Sequence, residues 1–533
     1  MENQRSTFLT SIGASLLGVF FLLPALASST LLRFLPAVQT VQNSFLDINF
    51  LRDSSETVGA ANYQALLQDR SFNDFTQYTL LVVVVRVAVV AVLPLLIGLL
   101  MGMQGKTGRV LNQIGLGLLL GLSAPLAFVV LFGVANRPIL EFPLSFELAS
   151  PNGARLATLL IDALLTAAVA IPIGSLLYGA VNRGGGSMVG KAFMVWFSGV
   201  LLAAGSGLLS FVVPYLLTKG GPGNSTVSMM LYGYSMNFRN LELGRGAVVS
   251  SLFIVSSLML AFIFWLLIIF ARLRLQFLPR TNEGTNVLLL VTIPLIVLVL
   301  LPFVFLYLWI PGQLTGDGGV SSGPDMGLAL VNSITSVTSG TLIQLSIALL
   351  AGIGLGYLQP FGRIGSAILL FILLVTSCFP DESLGMSWFM QARELGIVDT
   401  LNGTLLGFSA PHALLVGFMV LVFAGLREDY LVEERSAGHV VGYGLGATLL
   451  AGAVIAFLQL HTLHWPLIIG VREAISLPVA VAQIVGARGM DLDTVFLAVQ
   501  PLVFLSGFFG LVFAVLFVLV GDKMALAAGS SRS

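Results

Sequence analysis

Residues 79–101 read TLLVVVVRVAVVAVLPLLIGLLM, a run broken by a single charge, Arg86. About 20 apolar residues are needed to cross a bilayer as helix, and helix is favoured because lipid offers no partner to a bare backbone amide. Eleven comparable runs extend outward from this one. With it they occupy approximately 8–31, 79–101, 111–134, 156–177, 193–217, 247–271, 287–310, 333–358, 364–379, 411–426, 440–463 and 495–520. The ninth and tenth are short. The pattern predicts an all-α polytopic membrane protein of about twelve transmembrane helices.

Composition agrees. The 533 residues are 57% hydrophobic and 9% charged, against roughly 25% charged in an ordinary soluble domain. That excludes a soluble enzyme. Lys plus Arg equals Asp plus Glu at 25 each, so no basic field attracts nucleic acid. The single cysteine, Cys378, can form neither an internal disulfide nor a thiolate metal site, and its apolar setting reads as a buried, inert thiol. Arg5 precedes a long apolar run without a small-residue cleavage site, which predicts a retained first span. With the amino terminus inside, Lys and Arg are denser in the short inside segments, so both termini are expected to be cytoplasmic.

The chain repeats itself. Gly108-Arg109 after the second span recurs as Gly362-Arg363 after the eighth, and Gly185 after the fourth recurs as Gly438 after the tenth. A shared offset within equal span counts predicts two parallel six-helix units, residues 1–285 and 286–533, joined by Arg272–Asn286.

After the fifth span comes Leu217-Thr218-Lys219-Gly220-Gly221-Pro222, then Thr226, Leu231-Tyr232, Tyr234, Phe238 and Gly244-Arg245-Gly246-Ala247. Glycine and proline at Gly220-Gly221-Pro222-Gly223 demand a tight, non-helical turn. This segment resembles the permease subunits of binding-protein-dependent ABC importers of the maltose and glycerol-phosphate type. In that family LTxGGPxxxT is followed by an aromatic pair and GxGAA at the same spacing. Asn62-Tyr63, Leu66-Leu67 and Phe72 are similar to the family's segment before its second span. Asn332-Ser333, Leu395–Thr400 with Gly403, Trp465-Pro466-Leu467 and Ser476–Val479 are similar to motifs of its usual partner subunit. The chain therefore resembles two permease subunits fused.

The resemblance implies partners: a cytoplasmic ABC ATPase dimer that binds ATP, an external solute-binding protein, the lipid bilayer, and a sugar or similar small polar solute. It implies a bacterial or archaeal cytoplasmic (inner) membrane, no cofactor in this chain and no enzyme activity. The path would open alternately to each side as the ATPases close. Family permeases also carry an EAA loop, a short cytoplasmic helix between the fourth and fifth spans that docks on the ATPase. The matching positions here are Gly179-Ala180-Val181 with Gly185 in the first half, and Glu433-Glu434 with Gly438 in the second. Gly replaces the motif's Glu in the first. Each glycine of Gly184–Gly186 in a surface helix costs roughly 1 kcal/mol relative to alanine, which predicts a weak or absent first coupling helix. The mixed-charge run Arg427–Arg435 reads either as a solvated helix end or as a docking face. This degeneracy leaves an alternative function, a permease-derived membrane scaffold that has lost ATPase coupling.

Other chemistry is sparse. Lys106-Thr107 after Gly105 lacks the glycine spacing and preceding strand of a phosphate loop. His461 and His464, three apart on one expected helix face, lack further zinc ligands, so no metal site is expected. Arg86 and Asp162 both lie inside apolar spans, where a lone charge costs at least ~2.5 kcal/mol. They are expected to pair at about 10 Å depth. Such a pair either fastens two helices or lines a polar path.

Overall fold

The computed structural model describes residues 12–49, 54–136, 140, 142–278, 284–314, 323–486 and 492–529. Residues 8–11 of the expected first span, and part of the expected linker, lie outside them. The chain is an all-α polytopic membrane protein. α1 (Ile12–Ser29) continues through a π-helical turn, Thr30–Phe34, into α2 (Leu35–Asn43). A hairpin of β1 (Leu46–Asn49) and β2 (Ser54–Thr57) leads to α3 (Ala61–Gln68), α4 (Arg70–Gly102), α5 (Lys106–Leu122) and α6 (Pro125–Ala135). Then come α7 (Pro151–Val181), α8 (Met188–Leu208), α9 (Met229–Phe238), α10 (Leu243–Ala271) and β3 (Arg274–Phe277). The second half holds α11 (Leu289–Trp309), α12 (Met326–Gly352), α13 (Gly362–Ser377), α14 (Asp381–Glu394) and α15 (Leu401–Phe408). It continues with α16 (Ala413–Leu431), α17 (Ala437–Leu460), α18 (His464–Ile469), α19 (Leu477–Gly486), α20 (Leu492–Leu519) and β4 (Met524–Ala527).

Side-chain caps set many helix starts. Asp69, Ser150, Ser187, Ser228, Asp325, Thr400 and Ser436 each accept an amide hydrogen from the first turn of α4, α7, α8, α9, α12, α15 and α17. Each cap satisfies an otherwise orphaned donor. Because Asp69 opens α4, that helix begins nine residues before the apolar run at Thr79. Arg86 therefore lies about 24 Å along its helix and Asp162 about 16 Å along α7.

Among the described residues nine helices are long and apolar enough to span, and twelve spans result if three bent pairs each count once. The pairs are α5 with α6, bent 61°, α13 with α14, bent 69°, and α15 with α16, bent 54°. Pro125, Pro380 and Pro411 stand at or beside these breaks, where a residue without an N–H cannot continue the ladder. The short ninth and tenth runs of the sequence are these broken helices. Each gains a partner segment, the polar Asp381–Glu394 and the short Leu401–Phe408, that apolar run counting passes over.

The halves interlock. α1 packs against α12, α13 and the π-helical turn Ile353–Leu358, while α11 packs on α5 and α6. α20 lies along α5 so closely that a Cβ at Gly117 or Gly121 would overlap the backbone at Ala514 or Gly510. At one end of the bundle β3 and β4 form an antiparallel pair with Arg274 opposite Ala527 and Phe277 opposite Met524. This is called the strand end below.

Candidate functional site

Midway through the bundle a cavity of about 230 Å³ opens at the seam of the two halves. The first half contributes Arg86, Asp162 and Ser210, and the second contributes Glu382, His461 and His464. Arg86 grips Asp162 with two bonds, Nε to Oδ2 at 2.7 Å and Nη2 to Oδ1 at 2.6 Å. Its third arm, Nη1, donates to the Ser206 carbonyl at 2.7 Å. Bidentate geometry fixes both side chains while leaving their surface on the cavity. The pair joins α4 to α7 and also lines the cavity.

Glu382 forms no ion pair among the described residues. His461 and His464 do not share a helix face: His461 caps the end of α17, and His464 begins α18 after a break. His461 Nε2 sits 2.9 Å from Ser506 Oγ, whereas its Nδ1 and both ring nitrogens of His464 are buried without partners. Among the described residues no group of three or more His, Cys, Asp or Glu is placed to hold a metal. Aromatic rings adjoin the cavity: Phe211 stacks on Tyr215 at 5.0 Å and meets Tyr234 and His464 edge-on at 5.2 and 5.1 Å. The cavity wall therefore offers carboxylates, imidazoles and aromatic faces. A solute rich in hydroxyls could satisfy the unpartnered atoms, which are costly to leave so.

A charge absent from the sequence reading is equally central. Arg33 is fully buried and pairs with Asp381 at 2.8 Å. It donates to the carbonyls of Phe379, at 2.5 Å, and Ala410, at 3.1 Å, and its Nη2 lies 3.1 Å from His412 Nδ1. These carbonyls stand at the two helix breaks of the second half, where the intrahelical ladder leaves them without a donor. Arg33 follows the first apolar run by two residues, where an arginine reads as an interfacial flank. Its signal was the renewed apolar stretch immediately after it. Cys378, at the α13–α14 break, is half-buried rather than buried.

At the end opposite β3 and β4 lie the turn motifs. Thr218 and Thr226 hydroxyls meet at 2.6 Å, Thr226 Oγ1 donates to the Gly221 carbonyl at 3.2 Å, and Thr226 N donates to Gly220 O at 3.2 Å. The two threonines thereby close the loop over Gly220, Gly221 and Pro222. Lys219 and Gly220, at φ of +54° and +86°, supply its left-handed corner. In the second half Asp399 accepts backbone amides from Val471, Arg472, Glu473 and Ala474 at 2.9–3.2 Å. Partial burial alone would raise its carboxyl pKa, but the four N–H donors outweigh that and hold it below the usual value. Asn332 Nδ2 donates to the Glu473 and Ile475 carbonyls at 2.9 and 3.0 Å.

At the strand end, Gly179, Ala180 and Val181 form the buried last turn of α7, and Gly185 sits in the turn Asn182–Ser187. Glu433 and Glu434 are exposed in the turn Val432–Ser436, and Gly438 lies in the first turn of α17. Neither turn contains a helix of its own. Gly184–Gly186, expected above to weaken or abolish a surface helix, form a bend against β4. Arg183 beside it is held by burial at about 10, below its ordinary pKa, with Asp522 opposing that shift and Arg109 adding to it.

No protein-family model matches the chain. The chain is similar to the sulfoquinovosyl glycerol transport system permease protein SmoG of Agrobacterium fabrum, with 26% identity over 274 residues. That match covers 46% of this chain and 88% of SmoG.

Proposed function

We propose that this chain is the permease of an ABC import system, with the cavity between its halves as part of the translocation path for a sugar or similar small polar solute. The observation that carries the reading is the cavity itself. Its polar atoms come from both halves, several are unpartnered, and an ion pair in its wall could not be left open in lipid without cost. Similarity to a transport permease supports it. So does the proportion of the match: nearly all of SmoG corresponds to under half of this chain, as expected if residues 1–285 and 286–533 are two permease units fused.

In this reading the strand end faces the cytoplasm, both termini are cytoplasmic, and Gly220–Thr226 faces outward toward a solute-binding protein. A separate ATPase dimer supplies the energy, and its closure would move the halves so that the cavity opens alternately to each side. The test is purification of the intact chain from its native membrane in mild detergent. A co-purifying nucleotide hydrolase whose turnover depends on the chain supports import.

One observation favours a second reading, a scaffold without coupling: the turns at Asn182–Ser187 and Val432–Ser436 carry no docking helix. Consistent purification without any hydrolase would favour it and overturn import.

A further inference from the structure

The chain's own strands cover the first helix-less turn at the strand end and lie on the helix that leads into the second. β4 runs over the first. A Cβ at Gly184 or Gly186 would stand 2.7 Å from the Leu526 carbonyl or 2.6 Å from the Ala528 carbonyl, so only glycine lets the backbone of this tail come so near. Ala528 N donates to Gly185 O at 3.0 Å. The Arg183 guanidinium donates to the carbonyls of Met524, on β4, and Leu278, just beyond β3. Lys191 Nζ holds the same turn from below, donating to Arg183 O at 2.8 Å and Gly184 O at 3.2 Å.

β3 lies on the second turn's helix in the same manner. A Cβ at Gly425 of α16 would overlap the Leu275 carbonyl. Arg274 pairs with Glu428, Phe277 N donates to the buried Asp429 carboxylate at 3.3 Å, and the Phe277 ring stacks on Tyr443 at 5.0 Å. Leu275, Phe277, Met524 and Leu526 are all at most 4% exposed. A lone two-stranded ribbon is marginal in water, and these seats on both sides are what make this one rigid.

We infer that the β3–β4 sheet is a mechanical tie between the Asn182–Ser187 turn and the tip of α16, so that a cytoplasmic partner meets one composite face instead of two independent loops. Pulling the turn away from α16 requires opening the ladder or lifting a strand from its glycine seat, and either leaves buried amides without partners. A displacement applied to α16 therefore carries the first turn with it. A coupling helix in the first half becomes dispensable, and a single docked site on Glu433-Glu434 suffices to move both halves. The identity of the partner rests on the permease reading; the tie does not.

The tie is tested on the intact chain in lipid nanodiscs, with bioorthogonal spin labels at positions 185 and 433 and the distance between them measured by pulsed electron resonance. The unaltered chain should give one narrow distribution. Ala525→Pro, which removes a ladder donor, and removal of residues 524–533 should each shift it longer and broaden it at least about twofold. Adding the cross-strand pair Leu275→Cys and Leu526→Cys to Ala525→Pro, with Cys378→Ala, should restore the narrow distribution on oxidation and lose it on reduction. That rescue separates a broken tie from a misfolded chain. A distribution that stays narrow without β4, or is already broad in the unaltered chain, overturns the inference. If the tie holds and no nucleotide hydrolase co-purifies, the permease reading fails and the tie stands.

Discussion

The two halves solve the same problem of charge in a membrane in opposite ways. In the first, the fourth span is one continuous helix, α7, and its charge is answered within the half by Arg86. In the second, the corresponding span is broken into α15 and α16, while the span before it is broken in both halves, as α5–α6 and α13–α14; the Phe379 and Ala410 carbonyls at the second half's breaks are answered from outside by Arg33. A continuous helix carries its own hydrogen bonds; a broken one imports them. The difference teaches that the halves are not interchangeable: a residue of the first half donates to carbonyls at both breaks of the second, beside donors such as Gln344 and Gln459 that the second half itself supplies to the Phe408 carbonyl.

Where the halves do agree, the agreement is detailed. Thr79 Oγ1 accepts the amide of Met229 at 2.8 Å, and Ser333 Oγ accepts that of Leu477 at 2.8 Å. In each half a buried hydroxyl near the start of the long second span anchors the start of the short helix ahead of the last span.

The comparison breaks most sharply at the two arginines. Arg33→Leu should cost ~3–5 kcal/mol, because it takes the fully buried partner from the partly buried Asp381 and the donor from the Phe379 and Ala410 carbonyls. Adding Asp381→Leu should recover little of it, since the Phe379 and Ala410 carbonyls still lack a donor. Thermal unfolding in detergent reads both; recovery near the unaltered value would show that the carbonyls do not matter.

The first half should behave differently under the same treatment. Arg86→Leu and Asp162→Leu should each cost a similar ~3–5 kcal/mol, while the double change recovers most of the loss because the charges vanish together. Additive losses in that cycle would mean the pair contributes no coupling. A double variant that folds but no longer supports uptake would assign the pair a role in the path as well.

A smaller, pH-dependent effect belongs to the second half. Asp399 has a folded pKa below its unfolded value of about 3.9. Its contribution is therefore full above that unfolded value and fades as pH falls through the lower folded one. Asp399→Asn should speed amide exchange at residues 471–474 by about tenfold at neutral pH, the equivalent of roughly one net hydrogen bond. Exchange unchanged by the substitution would show that the four donors hold the loop without the charge.

Least of all, Thr79→Ala and Ser333→Ala should each cost about 1 kcal/mol and by similar amounts. Unequal losses would mark where the resemblance between the halves ends.

Much of the fold was legible because apolar run length reports directly on the solvent a segment needs. The breaks were less so. Pro94 and Pro172 sit inside helices that stay continuous, while Pro125, Pro380 and Pro411 accompany bends, so proline by itself does not mark a break. Arg86 and Asp162 stood out as charges in apolar runs. Arg33, just past the apparent end of its run, did not. Gly184–Gly186 was visible as a helix breaker, but its purpose was not, because the strand it admits lies some 340 residues away.

The sequence alone determined that lipid is the solvent, that about twelve segments cross it, and that Gly220–Pro222 must turn sharply, since each follows from the chemistry of consecutive residues. Tertiary structure alone decided that Arg33 serves the breaks of the other half, that Glu382 and His464 face Arg86 across one cavity, and that two glycine seats bring β3 and β4 together. The reason is physical. Hydropathy and backbone freedom are properties of a residue and its neighbours, whereas a hydrogen-bond donor for an orphaned carbonyl, or the absence of a Cβ where another backbone passes, has meaning only once distant segments meet.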